Sequence, residues 1–391
     1  MTAGHGAVSI ESLTMLTPDQ IAIRDMTRKF VRAEIIPNAI SWDESQTVPR
    51  EVWQKIGALG LHGVCAPAEW GGSDSGIVAW ALMVEELAYG DCAIGNQIGG
   101  ISFPYVAKLL EHGTERQKEE FLRPVVRGDH YIALLFSEPH AGSDLATVKT
   151  RAELQGDKWI VNGEKVFITG GATAGAAILL ASTEPSAGKK GLTAFLIRPG
   201  TPGYTVLRRE KKLGHRSVEI CHIAFTDFEI PADHVLGSVG GGYRIILDGL
   251  DTNRIGVAAQ AVGVAQAALD AATAYAKERR SFGRRIIEHQ AIGFRLAEMA
   301  TKIAAARQLY LHAARLKDAG DKRVNESSMA KLFASEVAEF VCSAAVQIFG
   351  GTGYIQGSLV EKLYRDQRVL QIYEGTNEVL KMVIQRELEQ A

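Results

Sequence analysis

At 391 residues the chain exceeds the length at which one hydrophobic core keeps growing, so two or three sub-domains are expected. Its formal net charge of −2, with acids and bases intermixed, provides no basic face for nucleic acid and no polybasic patch for a membrane surface. Cys65, Cys92, Cys221 and Cys342 stand singly, without zinc-site spacing or a disulfide framework, and read as buried thiols of a reducing compartment.

Met1 to Met15 has neither the basic start and apolar run of a signal peptide nor the arginines of a transit peptide. No apolar run is read as long enough to span a bilayer, so a soluble, cytoplasmic protein is expected. Thr17-Pro18-Asp19-Gln20 combines a hydroxyl cap, a proline at the first helical position and a capping-box glutamine. Ile23, Met26, Phe30 and Ala33 then recur at helical spacing until Pro37 interrupts them. Further helices are expected at about Glu51 to Ala58, Val78 to Ala88, Tyr105 to Leu110 and Glu115 to Val126. The glycine-rich Ala66–Gly72 segment between two of them reads as a loop.

The pattern changes at about Tyr131. Short apolar runs follow at Tyr131 to Ser137, Thr150 to Leu154, Trp159 to Val161, Val166 to Thr169, Ala177 to Ala181, Leu192 to Ile197, Tyr204 to Leu207 and Glu219 to Phe228. Gln155-Gly156-Asp157 and Asn162-Gly163 read as turns, which predicts a small antiparallel sandwich or barrel. From Gly241 the chain is helical again. Leu247 to Lys277, His289 to Leu316, Asn325 to Phe349 and Val379 to Leu388 are rich in alanine and carry apolar residues three and four apart, with Asn325 as a cap and Gly350-Gly351 as a stop. The expected fold class is therefore α+β multi-domain: an N-terminal helical domain (1–130), a central small antiparallel β domain (131–242) and a C-terminal four-helix bundle (243–391).

Between the last two helical segments lies Gln371-Ile372-Tyr373-Glu374-Gly375-Thr376-Asn377-Glu378. Ile372 and Tyr373 would shield Glu374 from water and raise its pKa toward that of a usable base, and Gly375 admits close backbone approach. Alternatively, Glu374 and Gly375 form an irregular helix cap. Ser137 to Asp144 is a turn rich in hydroxyls, suited to hydrogen-bonding a ring edge or a pyrophosphate through its amides, or an ordinary turn.

Five stretches together resemble the flavin-dependent acyl-CoA dehydrogenase family: Ser137-Glu138-Pro139-His140-Ala141-Gly142-Ser143-Asp144, Phe167-Ile168-Thr169, Arg279-Arg280-Ser281-Phe282-Gly283, Gln347-Ile348-Phe349-Gly350-Gly351 and Ile372-Tyr373-Glu374-Gly375-Thr376. They fall in the family's order and spacing over nearly the whole chain. The resemblance implies FAD as cofactor, with Leu134, Phe136 and Ser137 on the pyrimidine side of the flavin and Ser143 on a phosphate or the pantetheine. Phe167 and Thr169 match the positions flanking the isoalloxazine, where the family commonly has tryptophan two residues before threonine. His140 stands where a glycine is usual. Arg279, Phe282, Gln290, Gln347 and Gly351 match residues that reach the cofactor of a neighbouring subunit, so at least a dimer is implied and a homotetramer favoured. Thr376 and Glu378 match further cofactor contacts.

The same resemblance puts Ser143, Asp251, Arg254 and Gly375 on the acyl-CoA substrate, although Asp251 and Arg254 also fit a surface ion pair. Some members carry the catalytic carboxylate at the position of Asn253. Asparagine cannot act as that base, which leaves Glu374. The implied reaction is α-proton abstraction by Glu374 with β-hydride transfer to flavin N5, giving a trans-2-enoyl-CoA, with electrons passed to an electron-transferring flavoprotein. Ile98-Gly99-Gly100-Ile101-Ser102 falls where the family lines the end of its acyl pocket, or is a simple helix break. Two other classes remain compatible: a same-fold oxidase or flavoenzyme acting on a non-thioester, and a non-catalytic flavin-bound scaffold.

Overall fold

The computed structural model describes residues 16–321 and 325–390, so the expectation for Met1 to Met15 lies outside the described residues. Helix α1 (Pro18–Phe30) starts at the anticipated capping box, with Gln20 N–H donating to Thr17 Oγ1 at 3.3 Å and Thr17 N–H to Gln20 Oε1 at 3.0 Å. Helices α2 (Gly76–Gly90) and α3 (Cys92–Gly100) follow. The N-terminus of α2 takes its cap from far away: Asp318 accepts from Ile77 N–H at 2.7 Å and Val78 N–H at 3.1 Å. Asp91 caps α3 through Ala93 and Ile94 N–H.

Strands β1 (Ile132–Leu135), β2 (Arg151–Gln155), β3 (Lys158–Thr169), β4 (Ala176–Ser182), β5 (Leu192–Ile197), β6 (Tyr204–Arg209) and β7 (Ile220–Pro231) form one sheet in the order β1-β4-β2-β3-β7-β6, with β5 paired to β4. Pairings are antiparallel apart from β1 with β4 and a single parallel contact of β2 with β4. The continuous apolar run of β4 follows from burial on both faces. Ala176, Ile178 and Leu180 join the helical core, whereas Ala177, Leu179 and Ala181 join a second core with Trp159, Phe195, Phe225 and Phe228.

The turn anticipated at Asn162-Gly163 is not formed. β3 runs straight through it with a register shift against β7 between Val161 and Gly163. The glycine is needed for a different reason: at φ +148° a Cβ would stand 2.6 Å from Thr150 Oγ1, so the site is a bulge packed against β2's approach.

Helices α4 (Gly242–Glu278), α5 (Gln290–Asp318), α6 (Asn325–Phe349), α7 (Leu359–Gln367) and α8 (Asn377–Gln390) complete the chain, with a short hairpin of β8 (Arg280–Ser281) and β9 (Arg284–Arg285) between α4 and α5. Contrary to expectation, α4 and α6 are long and apolar enough to cross a membrane by length and composition, because alanine raises their hydropathy. Their place in the fold is the helical core, with 78% of the apolar window of α4 buried. Asn325 Oδ1 makes no hydrogen bond, so the cap expected of it is not made. Cys92, Cys221 and Cys342 are buried as expected, and Cys65 is half-buried.

Two charged clusters lock the layers together. Arg307 of α5 meets Glu85 of α2 at 2.7 Å, with Tyr310 also donating to Glu85. Lys362 of α7 lies 2.6 Å from Asp366 and 3.0 Å from Asp91, all fully buried. Asp366 accepts from His215 N–H and Asp91 from Ser217 Oγ, so this cluster joins the N-terminal helices, the sheet region and the C-terminal helices. Between α2 and α4 the backbones nearly touch: a Cβ on Gly263 would stand 2.3 Å from Glu85 O. Gly263→Ala is expected to cost about 1–3 kcal/mol by forcing these helices apart, read as a lower urea midpoint at unchanged m-value.

Candidate active site

The stretch at Glu374 is not a regular cap. It follows a short 3-10 turn (Arg368–Gln371) and leaves through α8, and Glu374 and Gly375 both adopt left-handed backbone at φ +55° and +90°. Thr376 caps α8 by accepting from Val379 N–H at 3.3 Å. Lys331 of α6 fixes the twist, donating to Gly375 O at 2.8 Å and Asn377 Oδ1 at 3.1 Å, with Ser335 Oγ also on Asn377 Oδ1. On the other side the Tyr373 hydroxyl donates to Gln260 Oε1 of α4.

Glu374 as a residue is half-buried, but its Oε2 has no measurable exposure and no partner. Desolvation raises its pKa above the ordinary carboxylate value, against an opposing hydrogen bond from the Asn253 side chain and the positive charges of Arg254 and Lys331. Burial in turn brings the Lys331 ammonium down to about 8. Among the described residues the backbone N–H of Glu374 has no protein acceptor, which leaves a donor beside the carboxyl for a ligand oxygen.

Asp251 and Arg254 are buried, which overturns the reading as a surface pair. Asp251, assigned to the substrate by resemblance, is engaged by partners within the chain. Its oxygens are taken by Ser327 Oγ and Lys317 Nζ, each at 2.7 Å, and by Arg254 Nη1 at 3.4 Å, so it orients Arg254. Arg254 Nη1 also donates to Ser328 Oγ, while its buried Nε has no partner and its charge faces Glu374.

At the sheet, Phe136 is buried, Leu134, Ser137 and Thr169 are half-buried, and Ser143 is exposed. Phe167 stands 70% exposed at φ +60°, a conformation rare for an aromatic residue. Sequence reading missed what holds this wall. Lys165, fully buried two residues before Phe167, donates to Glu138 Oε1 at 2.7 Å and Phe136 O at 3.0 Å, and Glu138 also accepts from Lys149 and Thr150 N–H. Burial works to raise Glu138, but Lys165 and these donors outweigh it and hold the carboxyl below its usual range; burial lowers Lys165 to about 8. His140, at the unusual position, contacts Thr147 O at 3.2 Å and Glu138 Oε2 at 3.4 Å.

The residues expected to serve a neighbouring subunit are all on the surface: Arg279, Phe282, Gln290, Gln347 and Gly351 are exposed. Phe282 is 94% exposed at φ +52° on the tip of the β8–β9 hairpin. Glu378 is exposed in the first turn of α8, its carboxyl held below the usual range by backbone and Thr376 donors. Of the two glycines in the Ile98–Ser102 stretch, Gly99 is buried against Val84 and Gln260, whereas a Cβ on Gly100 would meet nothing within 4 Å.

Three family models cover this arrangement end to end: "Acyl-CoA dehydrogenase, N-terminal domain" over residues 17–129, the middle domain over 133–228 and the C-terminal domain over 240–389. The chain belongs to the acyl-CoA dehydrogenase family. An acyl-CoA dehydrogenase of Bacillus subtilis (strain 168) is 40% identical over 373 residues, covering 95% of this chain and 98% of that protein. Butyryl-CoA dehydrogenase from Megasphaera elsdenii superposes with a TM-score of 0.93 at 37% identity, covering 96% of this chain and 99% of that one. A chain solved in work on the electron transferring flavoprotein of Acidaminococcus fermentans superposes with a TM-score of 0.94 at 41% identity, covering 96% and 99%.

Asn253, Lys331 and Lys165 act on this site through partners far along the chain. The one sequence signal for the two lysines is a charge inside an otherwise inward-facing apolar run. Lys165→Met should cost roughly 3–5 kcal/mol, because it leaves Glu138 buried without its cation, and the loss is to be read from equilibrium denaturation.

Proposed function

We propose that the chain is an FAD-dependent acyl-CoA dehydrogenase in which Glu374 is the catalytic base, and that it divides at 130/131 and 242/243. The observation that carries this reading is the Glu374 carboxyl, desolvated, with one oxygen unpartnered and a free backbone N–H beside it.

The residues present suit FAD. Phe167 is held outward at a backbone cost that a flat aromatic ligand would offset, and Leu134, Phe136, Ser137, Ser143 and Thr169, on β1, the segment after it and the end of β3, offer apolar and hydroxyl groups. When bound, FAD supplies the acceptor for the two electrons that leave with the β hydrogen. Glu374 N–H donates to the thioester carbonyl oxygen and stabilises charge developing there as the α C–H bond breaks. The Glu374 carboxylate receives the α proton, and the electron pair of that bond becomes the new carbon–carbon π bond of a trans-2-enoyl thioester. Arg254 and Gly375 line the thioester's side of the loop, and Ser143 serves the pantetheine or a phosphate.

Similarity to butyryl-CoA dehydrogenase supports a short straight acyl chain. The reduced cofactor is reoxidised by an electron-transferring flavoprotein, a reading supported by the similarity to the Acidaminococcus fermentans study's chain. Exposed Arg279, Phe282, Gln290, Gln347 and Gly351 serve the cofactor of a neighbouring copy in a homotetramer, joined by Thr376 and Glu378. Four unbridged thiols support placement in the cytoplasm.

Anaerobic addition of an acyl-CoA panel tests the reading: flavin absorbance should bleach most rapidly with C4 chains, and no bleaching with any thioester would refute it. Glu374→Gln should keep FAD yet slow reduction by roughly 10²–10⁴-fold. In the parent protein the acid limb of the reduction rate should lie above the ordinary carboxylate range, since the base works only when ionised and its folded pKa is raised. The sign for stability is opposite. A raised carboxylate costs stability above its folded pKa, so Glu374→Gln should melt higher at neutral pH, and the gain should vanish below the unfolded carboxylate pKa of about 4.3. Phe282→Ala should weaken FAD retention about tenfold, the scale of one lost aromatic contact, measured by flavin released on gel filtration.

A further inference from the structure

Lys331 on α6 is fully buried, yet among the described residues its ammonium is hydrogen-bonded to no carboxylate. Its two bonds go to neutral acceptors, Gly375 O at 2.8 Å and Asn377 Oδ1 at 3.1 Å. Ser335, one turn further along α6, donates to the same Asn377 oxygen at 3.2 Å. Burial of a cation without an anionic partner is unfavourable. The reason for a charge at this position must therefore lie in what it holds.

Glu374 stands between two anchored stretches. Before it, Ile372 and Tyr373 N–H both donate to Val369 O, at 2.8 and 3.1 Å, and the Tyr373 hydroxyl donates to Gln260. After it, Val379 N–H donates to Thr376 Oγ1 at 3.3 Å and Leu380 N–H to Thr376 O at 3.0 Å. Glu374 itself makes no backbone hydrogen bond through its N–H or its C=O among the described residues. Gly375, at φ +90°, cannot fix the path of the chain alone, because glycine passes readily among its backbone states. Its carbonyl is the one group of the Glu374-Gly375 pair with a partner, and that partner is Lys331.

We propose that Lys331 is a positioning residue for Glu374: by holding Gly375 O and Asn377 Oδ1 together, its ammonium sets the direction in which Glu374 presents its carboxyl and its N–H to the thioester. This rests on the reading of Glu374 as the base. Lys331 exchanges no proton with the substrate and acts only through the loop. Its two acceptors lie on either side of Thr376, so one side chain closes the turn that leads into α8. A charged donor binds a carbonyl more strongly than a neutral one does, which is the return for burying a cation here. Ser335 steadies Asn377 but makes no bond to Gly375, so it cannot stand in for the lysine.

The test uses the FAD-loaded protein and rapid anaerobic mixing with saturating butyryl-CoA, so that affinity does not enter the rate. Lys331→Met, which keeps the length of the side chain without its donor, should slow flavin reduction about 10²-fold, the scale of a misplacement of about 1 Å. Because Lys331 acts through Glu374, the same substitution in a Glu374→Gln background should cost less than about threefold. A merely structural lysine would slow both backgrounds alike, so equal losses would overturn the proposal, as would an unchanged rate in Lys331→Met. Flavin content and far-UV circular dichroism identify a variant that has failed to fold, and Lys331→Arg is then measured in its place by the same comparison of backgrounds. A second readout is independent of turnover. Hydrogen exchange of the peptide from Ile372 to Leu380 should quicken about tenfold in Lys331→Met, the scale of one lost hydrogen bond, while β4 exchanges as in the parent; unchanged exchange in the loop would also overturn the proposal. If every thioester leaves the parent flavin oxidised, or Glu374→Gln is reduced as fast as the parent, the assignment of Glu374 as base fails, and quickened exchange would still uphold the grip of Lys331 on the loop.

Discussion

A carboxylate removed from water at a twist in the backbone is the constraint on which this fold is built. Left alone, Glu374 would turn outward, since burial disfavours its charge and left-handed backbone costs an L-residue roughly 1–2 kcal/mol. The surrounding helices remove that escape. Lys331 holds the carbonyl that follows, Tyr373 is tied to Gln260, and α4 brings Asn253 and Arg254 against the carboxyl. Two long helices and their close-packed neighbours exist, in this sense, to keep one oxygen dry and unpaired.

Backbone strain recurs wherever the proposed chemistry needs a side chain held out of its natural direction. Phe167, Phe282 and Glu374 all have positive φ, as does His215 in the buried cluster behind Tyr373. Phenylalanine rarely tolerates this conformation, and it survives only where the rest of the structure over-determines it. For Phe167 the determinant is the Lys165–Glu138 pair, which fastens the strand to the loop following β1. For Phe282 it is a hairpin of two-residue strands, with Gly283 at φ +79° completing the turn. The two aromatic rings project from separate parts of one chain, in keeping with a cofactor shared between copies.

What could be read from the sequence was local. The Thr17 capping box, the helical spacing of α1 and the change to strand alternation after Tyr131 are all encoded within a few residues of where they act. Asn162-Gly163 misled because the same dipeptide serves a turn or a bulge, and the choice lies with Thr150 across the sheet. Contacts between distant residues left no such trace. Asp318 caps a helix 241 residues earlier, and Lys331 reaches Asn377 over 46. At the site, the run of motifs led to Glu374, whereas the burial of Asp251 and Asn253 is a product of how α4 packs. Neither residue type announces it.

The buried cluster of Asp91, Lys362 and Asp366 carries a consequence for the order in which the molecule is made. Asp91 leaves the ribosome long before the lysine that neutralises it, and His215 precedes its acceptor Asp366 by 151 residues. Until α7 has been synthesised, Asp91 lacks its cation and the His215 N–H lacks its acceptor. The nascent amino-terminal half cannot reach its final packing on its own, and the last part of the polypeptide acts as the latch that closes all the earlier ones.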